Sequence, residues 1–478
     1  MGVLSKRPKG TKDVLPAESY KWKAIESRMS GVAELFGFRE IRFPTFEHTE
    51  VFTRSVGDTT DVVQKEMYTF KDKGDRSITL KPEGTAGTVR AMLENGLLNE
   101  ALPQKVYYIT PAFRYEKAQA GRLREFHQFG CEMFGSADPA ADAELICLAQ
   151  SVLGLLNLDD VRLEINSIGC PECRKSYQEA LLAYFNAHLD ALCETCHDRL
   201  RKNPMRILDC KNPECAEIAK SAPQITHYLC ADCQAHFERV QRYLQEMDIA
   251  YTVNPTIVRG LDYYTRTVFE FIADDIGAQS TVCGGGRYDG LVELMGGKPM
   301  PALGFAMGLE RLLIAIESRG WKIDPPTPCQ LYLASVGEAA AAKAVVLTAD
   351  LRRSGIYAEC DTMGRGLKAQ MKYADKIGAK TTAVIGDEEL ASGQLKIKDM
   401  KTGDITSSTF DTLCDDIWEC LSQKEPRNPR EIREEMTNDL GEELVQRFMS
   451  HMLGGKISGT RNMPEIDGFD DLKDLDKE

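Results

Sequence analysis

The chain has 478 residues, of which 43% are hydrophobic and 28% charged, with a net charge of −14. This length implies two to four domains with ample core, and the composition is the profile of a soluble globular protein. No apolar run approaches the roughly 20 residues that span a bilayer, and Met1-Gly2-Val3-Leu4-Ser5-Lys6-Arg7-Pro8 lacks the apolar stretch of a signal peptide, so a cytoplasmic location with no membrane partner is expected. Acidity does not exclude a nucleic-acid partner: residues 425–478 alone carry 8 Lys+Arg against 14 Asp+Glu, and RNA binding needs only a local basic strip.

In chain order, Pro16 to Phe36 reads as an amphipathic helix, with Trp22, Ile25, Met29, Val32, Ala33 and Phe36 at helical spacing. Gly37 ends it, and Phe38 to Pro44 alternates like a strand stopped by proline. Val106–Ile109 and Phe126–Phe134 read as strands flanking the polar loop Arg114 to Arg124. The segment from about Cys170 to Phe237 is helical in pattern and looks inserted. Strand-like runs return at Val268–Ile272 and Ser280–Cys283, and an apolar helix is predicted over Gly308–Ile316. Asp324-Pro325-Pro326-Thr327-Pro328 is the clearest linker. Beyond it the pattern is β-α-β-α-β: strands at Leu331–Val336, Tyr357–Glu359 and Thr381–Ile385, helices at Glu338–Ser354 and Gly366–Ile377. That predicts a small doubly wound α/β domain. The acidic tail holds one candidate helix, Pro429 to Leu453, and otherwise reads as disordered.

Three groups of residues point to chemistry. The glycines of Cys283-Gly284-Gly285-Gly286-Arg287-Tyr288-Asp289-Gly290 allow close backbone approach to a ligand, or mark a flexible turn; the spacing is neither that of a Walker loop nor of a Rossmann fingerprint. Arg114, Arg122, Arg124, Arg259, Arg287 and Arg311 stand beside strands, loops or glycines, where guanidinium groups clamp phosphate oxygens, although a surface arginine is more often simply solvated. Eight of the 15 cysteines lie between Cys170 and Cys233, in the pairs Cys170/Cys173, Cys193/Cys196, Cys210/Cys215 and Cys230/Cys233. Four pairs suffice for two tetrahedral zinc sites, and small buried apolar thiols are the alternative. His197 and His236 neighbour these pairs and could replace a thiolate.

Phe113-Arg114-Tyr115-Glu116, with Arg124-Glu125-Phe126-His127-Gln128, resembles motif 2 of class II aminoacyl-tRNA synthetases. Ala302 to Arg311 resembles motif 3, and Gly37–Pro44 resembles motif 1, which builds the dimer interface in that class. Arg259 to Thr267 and Gly284 to Gly290 resemble the two signature peptides of the histidyl-tRNA synthetase family, and Lys81-Pro82-Glu83-Gly84-Thr85 matches a third element of it. The resemblance, to the bacterial type, runs from about Lys9 to Lys424. It implies an α+β class II catalytic domain (an antiparallel sheet flanked by helices) over residues 1–325, with the Cys-rich helical insertion at about 170–240. A small α/β anticodon-binding domain at 326–424 and the tail at 425–478 complete the expected order.

The resemblance further implies formation of histidyl-adenylate from L-histidine and ATP, with Mg2+ accompanying the nucleotide, and transfer of histidine to the end of tRNA(His) by a homodimer. Arg114 is expected on the α-phosphate, Arg311 on the γ-phosphate and Glu116 at the adenine. Arg259 is expected against the α-phosphate and the histidine carboxylate, so Arg259 and Arg114 are the catalytic candidates. Glu83, Thr85 and Gln128 are expected at the α-amino group and Glu132 and Tyr264 at the imidazole ring, with Tyr263 and Arg114 also among the histidine-binding residues. Gln119 and Arg122 are placed toward the tRNA acceptor end. Arg365, Lys368 and Lys372, with Lys376, fall at i, i+3, i+7 and i+11 for phosphate contact near the anticodon. A non-catalytic relative serving histidine biosynthesis, which would lack the signature arginines and the α/β domain, and a stand-alone zinc and RNA-binding module are the rival classes.

Overall fold

The structure is a computed structural model that describes residues 5–57, 60, 62–119, 121–210, 212–274 and 280–422. Helix α1 (Pro16–Leu35) buries Ile25, Met29, Val32 and Ala33, the stripe its spacing predicted. After Gly37, at φ 79°, the chain enters β1 (Arg39–Glu40), much shorter than the predicted Phe38–Pro44 strand. Arg39 and Glu40 pair in parallel with Val106 and Tyr107, and one further bond runs from the Ile41 amide to the Tyr107 carbonyl (2.8 Å) before the pairing ends.

The rest of this part of the chain forms β2 (Phe46–His48), α2 (Thr49–Val56), β3 (Tyr68–Lys71), β4 (Ser77–Leu80), α3 (Thr85–Glu94), β5 (Gln104–Phe113), β6 (Glu125–Phe134), α4 (Pro139–Leu155) and β7 (Arg162–Ser167). Then come α5 (Pro171–Asn186), α6 (Glu194–Lys202), α7 (Pro213–Lys220), α8 (Ala231–Glu246), β8 (Thr252–Val253), β9 (Thr265–Ile272), β10 (Thr281–Arg287), α9 (Leu291–Leu294), β11 (Ala302–Gly308) and α10 (Leu309–Ser318). Eight strands make one sheet in the order β1-β5-β6-β11-β10-β9-β7-β8, and β2, β4 and β3 make a small second sheet. The six inner strands of the large sheet are antiparallel, and the outer pairs β1/β5 and β7/β8 are parallel. Helices α3, α4 and α10 pack on this sheet.

The insertion leaves and returns side by side: β7 pairs with β8 at Glu164↔Thr252 and Ile165↔Val253, so everything between is an excursion from one sheet edge. Its helices bury Tyr177, Leu181 and Phe185 with Leu200, Ile207 and Ile225.

A second compact unit holds Val14–Ala24 and the described chain from Lys322 onward. It contains β12 (Leu331–Ser335), α11 (Glu338–Arg353), β13 (Ala358–Cys360), α12 (Leu367–Lys376), β14 (Thr381–Ile385), α13 (Asp387–Ser392), β15 (Gln394–Asp399), β16 (Ile405–Thr409) and α14 (Leu413–Ser422). The sheet order is β13-β12-β14-β15-β16, its first three strands parallel and its last two antiparallel. Alternation along β12 explains the two covered faces. Leu331 and Leu333 join one apolar cluster with Ala340, Leu347 and Leu351 of α11, whereas Tyr332 and Ala334 join another with Ala374 of α12. The candidate helix Pro429 to Leu453 lies outside the described residues. No helix of the described residues is long and apolar enough to cross a membrane.

Candidate active site

The glycine run is strand rather than turn. Gly284, Gly285 and Gly286 are paired on both sides, β10 lying between β9 and β11. A Cβ on Gly285 would sit 2.3 Å from the Gly304 carbonyl oxygen, and one on Gly284 would sit 2.4 Å from a guanidinium nitrogen of Arg259. The bare strand is therefore a floor on which Arg259 lies flat. The same device recurs beside it. A Cβ on Gly304 would fall 1.6 Å from Glu132 Oε2, and Cβ atoms on Gly84 and Gly130 would each fall 2.2 Å from the Tyr108 ring. Glycines at these positions make room for one carboxylate and one phenol.

Above this floor is a cavity of roughly 190 Å³. Its walls carry Glu83, Thr85, Arg114, Glu116, Arg122, Gln128, Arg259, Tyr263, Tyr264 and Arg311, drawn from stretches of the chain as far apart as positions 83 and 311. Arg114 Nε donates to the Pro82 carbonyl at 2.8 Å, and Arg311 donates to the carbonyls of Gly121 (3.0 Å) and Thr281 (2.8 Å). These bonds aim the two guanidinium groups from opposite motifs. The motifs are also tied to each other, because the His127 amide donates to Glu310 at 3.0 Å and the His127 ring lies 3.1 Å from the same carboxylate. Arg122 pairs with Glu116, and Gln119 meets Arg122 in an isolated antiparallel bridge, so Arg122 faces the cavity.

Four guanidinium groups in one small space repel one another. Burial, then the neighbouring Arg122 and Arg114 cations, bring Arg311 down to about 10. Arg259 shifts the other way: burial opposes its charge, but the Glu270 carboxylate paired with it outweighs burial and raises it. Arg259 Nε and Gln128 Oε1 are buried with no hydrogen-bond partner among the described residues. An orphaned donor and an orphaned acceptor on one cavity wall are groups that a ligand would satisfy.

Glu132 does not line the cavity itself. Its carboxyl accepts from Thr85 Oγ1 (2.8 Å), Tyr108 OH (3.1 Å) and Tyr288 OH, and the first two of these residues do line the cavity. Burial pushes this carboxyl up to about 8 against the lowering effect of those hydroxyls. The sign follows. An unfolded glutamate titrates near about 4.3, so the folded state holds the proton more tightly. The stability this contributes is complete below that pH and is lost as pH rises through about 8. Glu132→Gln, which mimics the protonated carboxyl, should flatten the fall in melting temperature of ligand-free protein between pH 5 and 8, on the order of that window. An unaltered slope in thermal melts would place the titration elsewhere.

Arg287 does not belong to the cavity, contrary to its place among the candidate phosphate ligands. It is 0% exposed, pairs with Asp142 and with Asp289 (3.2 Å), and donates to the Ser136 carbonyl at 2.7 Å. Asp142 is held below the usual carboxylate range: burial opposes this, and Arg287 and His236 outweigh it. Sequence reasoning also missed Tyr108, Tyr288, Glu270 and Asp142. The signal for Glu270 was a lone acid between Phe269 and Phe271 in a strand, and for Tyr108 the glycines that bracket its ring.

In the insertion the eight thiols converge as two groups, Cys170/Cys173/Cys230/Cys233 and Cys193/Cys196/Cys210/Cys215, with all sulfurs of a group within 4.8 Å of one another. The grouping is nested, the outer two pairs together and the inner two together. Cys170 Sγ lies 3.5 Å from Cys173 Sγ, and Cys193 Sγ lies 3.8 Å from Cys210 Sγ. Those distances are too long for a disulfide and near the edge of about 3.8 Å expected for four thiolates at about 2.3 Å from zinc. The Cys230 amide donates to Cys173 Sγ (3.1 Å) and the Cys193 amide to Cys215 Sγ (3.2 Å), as suits thiolates. His197 and His236 are in neither group: His197 bonds the Leu192 carbonyl, and His236 lies against Arg266 and Asp142.

In the second unit Lys368, Lys372 and Lys376 are exposed on α12, four residues apart. Arg365 is not on that helical face. It precedes the helix, which begins at Leu367, and its guanidinium turns to Asp361 (3.2 Å) and over the Tyr373 ring (4.4 Å).

The family model described as Histidyl-tRNA synthetase matches residues 10–312, and the one described as Anticodon binding domain matches 330–418. A histidine–tRNA ligase of Clostridioides difficile (strain 630) is 52% identical over 420 residues, covering 88% of this chain and all of that protein. One from Clostridium novyi (strain NT) is 56% identical over 396 residues, 83% of this chain and 94% of the relative. The crystal structure of apo S. aureus histidyl-tRNA synthetase, 40% identical, superposes with a TM-score of 0.74 over 87% of this chain and 100% of its own.

Proposed function

The chain belongs to the histidyl-tRNA synthetase family, and on that premise we propose how its arginine-lined cavity carries out the family's reaction. It is an ATP-dependent histidine–tRNA ligase that activates L-histidine and transfers it to the 3′ end of tRNA(His) in protein biosynthesis. A carboxylate oxygen of histidine attacks the α-phosphorus of ATP, the bond from that phosphorus to pyrophosphate breaks, and histidyl-adenylate remains. A ribose hydroxyl of the tRNA then attacks the acyl carbon and AMP leaves. Chemistry of this kind is mainly positioning and neutralisation of charge.

The observation that carries our assignment of roles is the convergence of Arg114, Arg122, Arg259 and Arg311 on one cavity, where mutual repulsion is relieved by a polyanion. Arg114 takes the α-phosphate, Arg311 the γ-phosphate, and Glu116 the adenine. Mg2+ accompanying the ATP would neutralise part of the phosphate charge. Arg259 lies between the α-phosphate and the histidine carboxylate. Glu83, Thr85 and the unpartnered Gln128 receive the α-amino group. Tyr263 and Tyr264 enclose the imidazole, and Glu132 answers the ring through the hydroxyls it anchors. A ligand without the ring's donor and acceptor leaves these buried groups unpaired, which is the source of selectivity. Charging of tRNA(His) with labelled histidine, with AMP and pyrophosphate released, tests this reading; absence of histidine charging by folded protein would refute it.

Zinc is the metal we assign to the two thiol groups, four thiolates being its usual closed structural set. It supplies no chemistry to the cavity. None of the fifteen cysteines is in a disulfide, in keeping with a cytoplasmic location. We further propose that residues 1–325 form the catalytic part, 326–424 the anticodon-binding part and 425–478 an appended tail, and that two copies pair through Gly37–Pro44. Gln119 and Arg122 are assigned to the acceptor end of tRNA, and Arg365, Lys368 and Lys372 to the anticodon arm. Lys368→Ala with Lys372→Ala should weaken tRNA binding and reduce the slope of log K against log salt by about 1.4, at about 0.7 per single-strand phosphate contact. Fluorescence anisotropy across a salt series measures this; an unchanged slope would remove both lysines from the interface.

A further inference from the structure

The peptide Arg259 to Thr267 gives Arg259, Tyr263 and Tyr264 to the cavity, yet its backbone is held from outside the catalytic sheet. At one end Arg206 donates to the Gly260 carbonyl (2.6 Å), and Asn203 donates to Asp262 Oδ1 (3.3 Å). At the other end Arg174 donates to the Tyr264 carbonyl (3.0 Å), the Arg266 amide donates to the Gly169 carbonyl (2.9 Å), and Arg266 Nη1 reaches His236 Nδ1 (3.3 Å). His236 Nε2 in turn lies 3.2 Å from Asp142 Oδ2.

Three of these holding groups are sequence neighbours of a clustered cysteine, and the other two lie between clustered cysteines. Gly169 precedes Cys170, Arg174 follows Cys173, and His236 is one turn beyond Cys233. Asn203 and Arg206 lie on the stretch between Cys196 and Cys210. Cys170 and Cys230 are the N-caps of α5 and α8, so the first thiol group joins the starts of those two helices. The second joins α6 and α7, helices of 9 and 8 residues, lengths that are marginal without tertiary support. Arg266 itself is at φ 51°, a conformation that persists in a non-glycine residue only where its surroundings over-determine it. Beside it the β9–β10 register shifts between Gly286 and Arg287.

We propose that the metals bound by the two four-cysteine groups act as a two-ended clamp that positions the histidine-recognition peptide, the inner group fixing Gly260–Asp262 and the outer group fixing Tyr264–Arg266. This rests on the synthetase and zinc readings above. Metal occupancy then sets affinity for histidine rather than for ATP, and Arg174 is a positioning residue that acts through the Tyr264 backbone.

Elemental analysis of chelator-free protein should find two zinc ions per chain, matching the two groups. Cys170→Ser with Cys173→Ser should leave one, and should raise both the calorimetric histidine Kd and the histidine KM by about tenfold, with the ATP KM little changed. Because that variant can lose its fold, Arg174→Ala provides the second arm. It should keep both zinc ions and the melting temperature while weakening histidine binding similarly, and Arg174→Lys should restore most of the loss. Unchanged histidine affinity in Arg174→Ala overturns the clamp and leaves the zinc and synthetase readings standing. Zinc-free protein overturns the clamp and the zinc reading together, and wild-type protein without histidine-dependent pyrophosphate exchange overturns all three.

Discussion

Arg259→Ala lowers histidine-dependent pyrophosphate exchange by about 10²–10³, the loss expected when a fixed donor aimed at developing transition-state charge is removed, about 2.7–4 kcal/mol. The geometry explains why so much rests on one side chain. Arg259 lies on a strand stripped to glycine at Gly284, is held by Glu270, and keeps one buried N–H unpartnered. It is therefore oriented before substrate arrives and costs little reorganisation during the reaction. Arg259→His should behave similarly, since the imidazole neither reaches nor forks as guanidinium does. Transfer from preformed histidyl-adenylate should suffer less, because attack at the α-phosphorus is already over, and tRNA binding should barely move. Exchange and single-turnover transfer measured on the same variant separate these outcomes. Equal losses in both steps, or an exchange loss below about tenfold, would make Arg259 a structural residue.

Arg287→Ala gives the opposite pattern. This arginine is wholly buried and is the main counter-charge of Asp142, itself only 2% exposed. Removing one partner of a buried ion pair leaves an uncompensated charge and costs about 3–5 kcal/mol, so the melting temperature should fall by on the order of 10 °C. The protein that remains folded should keep a histidine KM near the parent value, because Arg287 is not on the cavity wall. A stable variant with severely reduced exchange would contradict this assignment and put Arg287 back among the substrate ligands.

The two arginines illustrate what the sequence could and could not convey. Arg259 and Arg287 both stand in signature-like peptides, and nothing in their local spacing separates the one that faces a cavity from the one that neutralises a buried carboxylate. The difference lies in the partner: Glu270 for one, Asp142, 145 positions away, for the other. The inner strands of the large sheet and the αβ alternation after Asp324 were legible because apolar periodicity sets them directly. The Gly284–Gly286 strand was harder to read. Glycine has no β propensity, and only the pairing of β9 and β11 on either side makes this segment a strand. The short β1 was overestimated for the converse reason: alternation from Phe38 to Pro44 is real, but pairing with the neighbouring strand ends at Ile41, whose amide bonds the Tyr107 carbonyl. The elements after Ile385, α13, β15, β16 and α14, carried too weak a period to be read. Clustering of the cysteines in sequence was plain, whereas their nested grouping depends on how α5 and α8 meet.

The most direct measurement is ATP–pyrophosphate exchange by the wild-type chain with each of the twenty amino acids supplied singly. Exchange is expected with histidine alone, the amino acid whose ring is proposed to satisfy the hydroxyls gathered on Glu132 and the tyrosine pair beside Arg259. Exchange driven by another amino acid, or none by histidine in protein shown to be folded, would contradict it.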